Sequence, residues 1–436
     1  MKTQHTIKTL SALILGLGAM GAAHGAGFQL LEQNASGLGN AYAGSAAIGE
    51  NASANFFNPA SITLLPGMNV SAGAVAIKPS FKFSDGGTTG PTGAAMTGGD
   101  GGDAGSWAAV PNAHFTWEVN PRVWLGLSVG APFGLMTDYE KGWAGRYHSE
   151  KFAIESININ PSIAFKATET LSVGVGLNWM QLDADYRKAQ PFSHPLLGGY
   201  QGDLEARVKA KGDGWGWNAG LMWQATPDTR FGLSYRSKVK IDADGTTRVS
   251  NRSVNNPAAI GAITASGAFG PHNAETTVEL PDTATLSVVH QLNERWTLLG
   301  DVSWTGWSSI PELKIKNTGI PDATLDLRFK DAWRVALGAT YRHSDRWTFK
   351  GGVAWDQSPV QDDAYRPSSL PDNDRYWVSV GAQYNFSKNT AIDVGYAHLF
   401  VKNTSVNNAS SPEAGTLKGD YKSSADLIGV QFSHRF

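Results

Sequence analysis

Two short runs carry patterns associated with bond-making chemistry. "GLSVG", Gly126 to Gly130, matches the G-x-S-x-G arrangement of serine nucleophiles. That chemistry needs a strand–turn–helix elbow that lifts the hydroxyl out of the fold. Here the motif lies within an alternating segment, with Gly126, Ser128 and Gly130 all on the inward side of a strand. A lipase would have to rest on Ser128, and the context argues against it. "GGDGGD", Gly98 to Asp103, matches one calcium-binding nonapeptide unit. That architecture needs tandem repeats, so a flexible surface loop is expected instead. There is no Gly-Lys dipeptide, no H-E-x-x-H and no cysteine. Phosphate-binding loops, zincin sites, thiol catalysis and disulfides drop out. The expectation is a protein that is not an enzyme and holds no cofactor and no metal.

What remains is electrostatic. In "TRFGLSYRSKVKID", Arg236, Lys238 and Lys240 alternate with Phe231, Leu233, Tyr235, Val239 and Ile241. In the run through "DAWRVALGATYRH", Arg328, Lys330 and Arg334 share one parity, and Trp333, Val335, Leu337, Ala339 and Tyr341 share the other. Basic side chains in a partly desolvated interior could hold a carboxylate, or simply pair with interior acids such as Asp326.

Period-two alternation of this kind means strands with one apolar face. The connections alternate in length. Short polar turns recur at Asn120-Pro121, Thr168-Glu169, Pro227-Asp228, Asn293-Glu294, Ser344-Asp345 and Ser387-Lys388. Long loops rich in Gly, Pro and Asn fall at about 85–103, 135–150, 188–203, 243–275, 308–323, 357–373 and 402–418. Six turns and seven loops predict fourteen strands, with short turns on one side and long loops on the other, as in outer-membrane barrels. The chain ends "LIGVQFSHRF", an alternating strand closing on an aromatic, which resembles the signal read by barrel-insertion machinery.

Composition agrees. Gly is 50 of 436 residues, above the usual ~7%. Residues 1–25 read as a secretory signal: Lys2 and Lys8, then an apolar run to about Ala23 and small residues before Ala26. Losing them takes away two lysines and no acids, moving the net charge from -2 to -4. No basic stripe is present, so nucleic acid is not an expected partner. The expected fold is all-β: a 14-stranded antiparallel transmembrane β-barrel over 68–436, in the outer membrane of a Gram-negative cell and in contact with its lipid.

A barrel this wide cannot be filled by its own wall. Residues 26–67 are the candidate filling: 24 of these 42 are Ala, Gly, Ser or Asn and only Glu32 and Glu50 are charged. Small residues allow a compact segment without a large core. Asn58-Pro59 reads as a helix start, with Asn as N-cap and Pro at the first position.

Other stretches suggest where a hydrophobic ligand would touch. "AQPFSHPLLGGY" offers Phe192, Leu196 and Leu197; "NNPAAIGAITASGAFG" offers Ile260, Ile263 and Phe269. Such apolar loops mark a binding surface, or pack on one another over the mouth. In "SVGAPFGLMTDY", Pro132 cannot donate to a ladder and is flanked by Gly130 and Gly134. The strand either kinks at Ala131, Pro132, Phe133 and Gly134 or ends there.

"AGFQLLEQNASGLGNAYAGSAAI" followed by Asn58-Pro59-Ala60 resembles the FadL family of outer-membrane long-chain fatty acid transporters, which includes uptake proteins for aromatic hydrocarbons. The likeness continues in "GWNAGLMW", "GLSYRSKVK", "FKDAWRVALGATYR", "DQSPV" and "LPDNDRYW" and spans the mature chain. It implies a fourteen-stranded barrel with an N-terminal hatch. It implies gating at Asn58, Pro59 and Ala60, a groove formed by the apolar loops, and lateral exit at the kinked third strand. The ligand carboxylate is expected at Lys330 and Arg187, with Arg334 a further candidate. Simple alternation with Leu177 puts Arg187 on the lipid side, so that role would need a bulge or a position above the membrane. The expected function is passive transport of long-chain fatty acids. Alternatives are uptake of monoaromatic hydrocarbons or a nonspecific porin.

Overall fold

A computed structural model describes residues 27–436; the expected leader, 1–25, lies outside the described residues. One antiparallel sheet closes on itself. Its wall strands are β1 (Met68–Asp85), β2 (Ala108–Asn120), β3 (Val123–Gly130, continued as Gly134–Asp138), β4 (Lys151–Lys166), β5 (Leu171–His194), β6 (Gly199–Thr226) and β7 (Thr229–Arg236, continued as Val239–Asn251). They continue as β8 (Gly270–Leu280 and Thr283–Gln291), β9 (Trp296–Thr305 and Glu312–Asn317), β10 (Ala323–Asp326 and Ala332–Arg342), β11 (Trp347–Asp356), β12 (Arg375–Asn385), β13 (Thr390–Val401 and Thr404–Asn408) and β14 (Leu417–Arg435). Each pairs with its sequence neighbour, and β1 closes on β14 from Asn69↔Arg435 to Asp85↔Gly419. The fourteen strands and six short turns fall where the alternation put them.

The parity of the strands decides what faces outward. Val173, Val175 and Leu177 on β5, Leu125 and Leu127 on β3, and Val335 and Leu337 on β10 are exposed on the outside. Aromatic residues stand at both margins of this band: Trp117, Trp223, Trp296 and Trp347 toward the short turns, and Trp215, Trp217, Trp333, Tyr376 and Phe400 toward the long loops. No helix among the described residues is long and apolar enough to cross a membrane.

Two expectations are corrected. The stretch 188–203 is not a loop: β5 and β6 run through it, leaving only a 3-10 turn at Pro195–Leu197. β6 alone has 28 residues, against the ~9–11 a membrane crossing needs. The alternation in β7 also breaks at Ser237-Lys238. Beyond the break Val239 and Ile241 turn inward and are fully buried, while Lys238 and Lys240 point out. Their apolar partners belong to the upper interior, above the outward apolar band.

Residues 27–67 run through the inside of the barrel with little regular structure: a four-residue helix α1 (Ala54–Phe57) and 3-10 turns at Leu38–Asn40 and Pro59–Leu64. An irregular buried segment must find partners for its backbone outside itself. The wall supplies them. Asp301 accepts from the Gly44 amide at 2.9 Å, Arg236 donates to the Phe56 carbonyl at 2.9 Å, and Arg230 to that of Ile48 at 3.1 Å. Lys350, buried on β11, reaches Glu50 at 2.7 Å, Asp393 at 3.2 Å and the Ser36 carbonyl at 3.1 Å.

The fit is close because the wall presents glycine at the contacts. A Cβ on Gly352 would stand 2.2 Å from the Asn40 carbonyl, and one on Gly381 2.8 Å from the Cα of Gly39. Lys350→Met would leave Asp393 and Glu50 without their cation. Removing one partner of a buried ion pair costs about 3–5 kcal/mol. The expected outcome is a barrel that still forms but whose N-terminal segment is cut by protease at much lower enzyme concentration than in the parent.

Candidate binding site

The groove is built where β5 and β6 rise beyond the apolar band. Helix α2 (Pro257–Ala265) lies across them, with Asn256 capping it by accepting from the Ala258 amide and Pro257 in its first turn. Its Ala259 and Ile263 are buried against Leu204, Val249 and Val254, with Phe192, Leu197, Ile260 and Phe269 packed on this cluster. Five of the six apolar residues expected to form a groove thus come together. Leu196 does not: it sits at the tip of the β5–β6 turn, 90% exposed.

Beneath and beside this cluster is an open groove bounded by Phe192, Val249, Ile263, Ala268 and Ile320. An inner cavity follows, walled by Phe152, Ile154, Leu182, Val208, Val278 and Leu313. The two spaces adjoin at Tyr186, Lys188, Val208 and Ala323, which line both.

Lys188 is the basic side chain among these four. Its ammonium is 3.8 Å from Glu413. Burial lowers its pKa below the usual lysine value, and Glu413 offsets part of the effect. Tyr186 beside it donates to the His148 carbonyl at 2.5 Å. The His148 ring turns a buried, unpartnered Nε2 toward this region. Burial, then the charge of Lys188, pushes the pKa of His148 down to about 4.

The three basic residues expected to meet a carboxylate lie elsewhere. Arg187 stands above the apolar band, facing away from the cavity, between Asp138 at 3.2 Å and Glu150 at 3.7 Å. Lys330 lies in the link within β10, where its amide donates to the Pro359 carbonyl. Arg334 is buried in the lumen, where it donates to the Ala41 carbonyl at 2.5 Å and lies over the Trp377 ring. The sequence reading missed Lys188, although parity could have found it. Counting from outward Leu177, the inward row is Asn178, Met180, Leu182, Ala184, Tyr186 and Lys188.

Asn58, Pro59 and Ala60 sit against the wall at two glycines. Asn58 caps the 3-10 turn by accepting from the Ala60 amide, and donates to the Ala46 carbonyl at 2.6 Å and the Leu221 carbonyl at 3.1 Å. A Cβ on Gly220 would collide with the Asn58 side chain, and one on Gly174 with the Pro59–Ala60 peptide.

The third strand is interrupted at Ala131, Pro132 and Phe133, and the β2–β3 ladder stops at Ala113↔Val129. Ala108 to Asn112 therefore pair only with β1. The N-terminal segment occupies the break. Leu30 donates to the Pro132 carbonyl at 2.7 Å, and the Gly134 amide to the Phe28 carbonyl at 2.9 Å. Gln33 exchanges two bonds with Ala131. Phe28 packs on Phe133 and Trp307. Ser128 lies within β3, bonded to Asn55 and to His114, whose other ring nitrogen meets the Gln33 carbonyl instead of a carboxylate.

A closed antiparallel barrel with an apolar exterior, an occupied lumen and an apolar groove and cavity toward its long-loop end defines an outer-membrane transport barrel. The chain belongs to the family described as "Outer membrane protein transport protein (OMPP1/FadL/TodX)", whose profile matches residues 17–436. It is 32% identical to the long-chain fatty acid transport protein of Escherichia coli K12 over 466 residues, covering 100% of both chains. It is 32% identical to outer membrane protein P1 of Haemophilus influenzae over 414 residues, 87% of each. Its fold matches the crystal structure of a Pseudomonas aeruginosa FadL homologue with a TM-score of 0.89 and 26% identity, over 94% of this chain and 100% of that one. The Ralstonia pickettii toluene transporter TbuX has the same fold, with a TM-score of 0.65 at 20% identity over 92% and 98%. The protein is an outer-membrane β-barrel of this transport family.

His148 yields a pH prediction. In a released loop it would titrate near its ordinary 6.5; docked, it holds out to about 4. Packing of residues 139–150 therefore keeps its full stability above pH ~6.5 and loses it as pH falls toward 4. Hydrogen-exchange protection across this loop, corrected for the pH dependence of intrinsic exchange, should fall over that window in the parent. A flat profile in the parent, or an unchanged slope in His148→Gln, would contradict the assignment.

Proposed function

We propose that the protein carries long-chain fatty acids passively across the outer membrane. The observation that carries this reading is the apolar groove and the adjoining apolar cavity, with one amine, Lys188, lining both. An alkyl chain gains by leaving water for such a space, by ~25 cal/mol per Å² of apolar surface. A carboxylate entering with it needs a partner where water is scarce. Lys188 meets that need more directly than Arg187 or Arg334, because it lines the groove and the cavity and they line neither; its own partner, Glu413, lies 3.8 Å away. Relatives named as long-chain fatty acid transport proteins support the substrate class.

In this reading the exposed apolar band lies in lipid and residues 26–67 form a hatch that plugs the lumen. Ligand adsorbs at the groove of Phe192, Leu197, Ile260, Ile263 and Phe269 and passes Lys188 into the cavity. The hatch then shifts about Asn58-Pro59-Ala60. Because Phe28 to Leu30 fill the break at Ala131 to Gly134, that shift also uncovers the wall. The ligand leaves sideways into lipid without crossing water.

The deciding measurement is displacement of a fluorescent long-chain fatty acid from the purified protein, by oleate and then by toluene. Displacement by oleate with little effect of toluene is expected. The reverse would move the function to aromatic hydrocarbon uptake within the same fold. Lys188→Gln should weaken oleate binding by about tenfold, the scale of one charge-assisted hydrogen bond, and leave an uncharged ligand untouched. Equal loss for both would remove Lys188 from the carboxylate role. Replacing Asn58-Pro59-Ala60 with bulky residues should impair uptake while the barrel still inserts; uptake at the parent rate would rule out hatch movement at this motif.

A further inference from the structure

The outside of the β1–β14–β13 wall carries an arrangement that the uptake route does not use. In the β1–β14 ladder Lys82 lies directly opposite Lys422, and both are exposed. Exposed Lys402 follows the last pair of the main β13–β14 ladder, Phe400↔Ser424, and precedes the resumption at Thr404↔Tyr421, which places it beside Lys422. None of the three ammonium groups has a carboxylate or hydrogen-bond partner among the described residues. The nearest acids do not pair with these ammonium groups: Asp103, opposite Lys82 across an isolated bridge, accepts from the Ser80 hydroxyl and the Phe81 and Gly105 amides. Asp420 stands two residues higher, between Ser84 and Ser405. Asp426, four residues lower, is held by His398 and Tyr396.

Like charges directly opposite in a ladder are destabilising, so the row calls for an anion. The far wall shows the contrast: Lys211, Lys238 and Lys240 lie 3.4, 3.5 and 3.3 Å from Asp183, Glu279 and Asp242.

The row's height identifies the anion. Exposed Phe400 marks the top of the apolar band here. Lys402 and Lys422 stand two residues above the Phe400–Ser424 pair, roughly 7 Å along the strands. Below them Ala72, Ala74 and Ala76 of β1 face outward, paired with Phe432, Val430 and Ile428 of β14. A charged row at headgroup depth above a low apolar track fits a molecule with a phosphate at the top and acyl chains below.

We propose that Lys82, Lys402 and Lys422 dock the phosphate of an anionic glycolipid of the outer leaflet. The inference rests on the membrane placement given above and is independent of the transported substrate. The test uses the full-length mature protein in lipid nanodiscs containing either bis-phosphorylated lipid A or its dephosphorylated form, with retained lipid counted by native mass spectrometry.

The parent should retain the phosphorylated lipid preferentially. A lysine near an anionic lipid surface contributes a factor of about five, so the triple Lys→Gln variant at 82, 402 and 422 should lower that retention by about a hundredfold. The matching variant at 211, 238 and 240 should retain lipid as the parent does. Equal retention by parent and triple variant would overturn the proposal, as would release by inorganic phosphate regardless of the acyl chains. Failure to enter nanodiscs at all would instead overturn the membrane placement, a separable result.

Discussion

The arrangement depends on one steric condition: an irregular segment can lie inside the barrel only if its backbone comes within contact distance of the wall's backbone. Side chains at Gly174, Gly220, Gly352 or Gly381 would hold it off, because a Cβ at each would overlap the segment's own main chain or the Asn58 side chain. Close approach lets wall side chains such as Asp301, Arg236 and Lys350 reach amides and carbonyls that no helix or ladder satisfies. The high glycine content, which at first signals only an abundance of turns, is thus partly an imprint of the lumen's contents on the wall.

The same condition explains why a weak point in the wall can exist. A strand broken at Pro132 leaves ladder groups without partners, and those groups would be costly if left dry and unpaired. The N-terminal segment supplies the missing partners through Phe28, Leu30 and Gln33. One stretch of chain therefore completes both the lumen and the wall, and displacing it affects both.

Much of this was legible in the sequence, because strand period and turn length are local properties. β10 shows it: Trp333, Val335 and Leu337 face out and Arg334 faces in, as alternation requires. What alternation could not carry was its own interruption. The two residues at Ser237-Lys238 reverse every side chain beyond them, since a strand repeats every second residue. The same arithmetic separates Arg187 from Lys188, adjacent residues on opposite faces. The motif pointed to the first, while the cavity is lined by the second. Leu196 was misplaced for another reason: apolar composition says that a loop has something to cover, but not which residue is left at the tip.

The distribution of the segment's partners bears on how the molecule is made. Residues 27–67 come first in the described chain, yet they bond to β3 near the start of the wall, β7 at its middle, and β11 and β14 at its end. Contacts so distant in sequence form late, because the chain between them must be ordered first. Until the seam between β1 and β14 closes, the segment lacks the enclosure that satisfies it, and afterwards the glycine-lined wall leaves little room to thread it. Closure of the cylinder and settling of its contents are thus coupled, and a segment near the start of the chain is placed by contacts that span the whole wall.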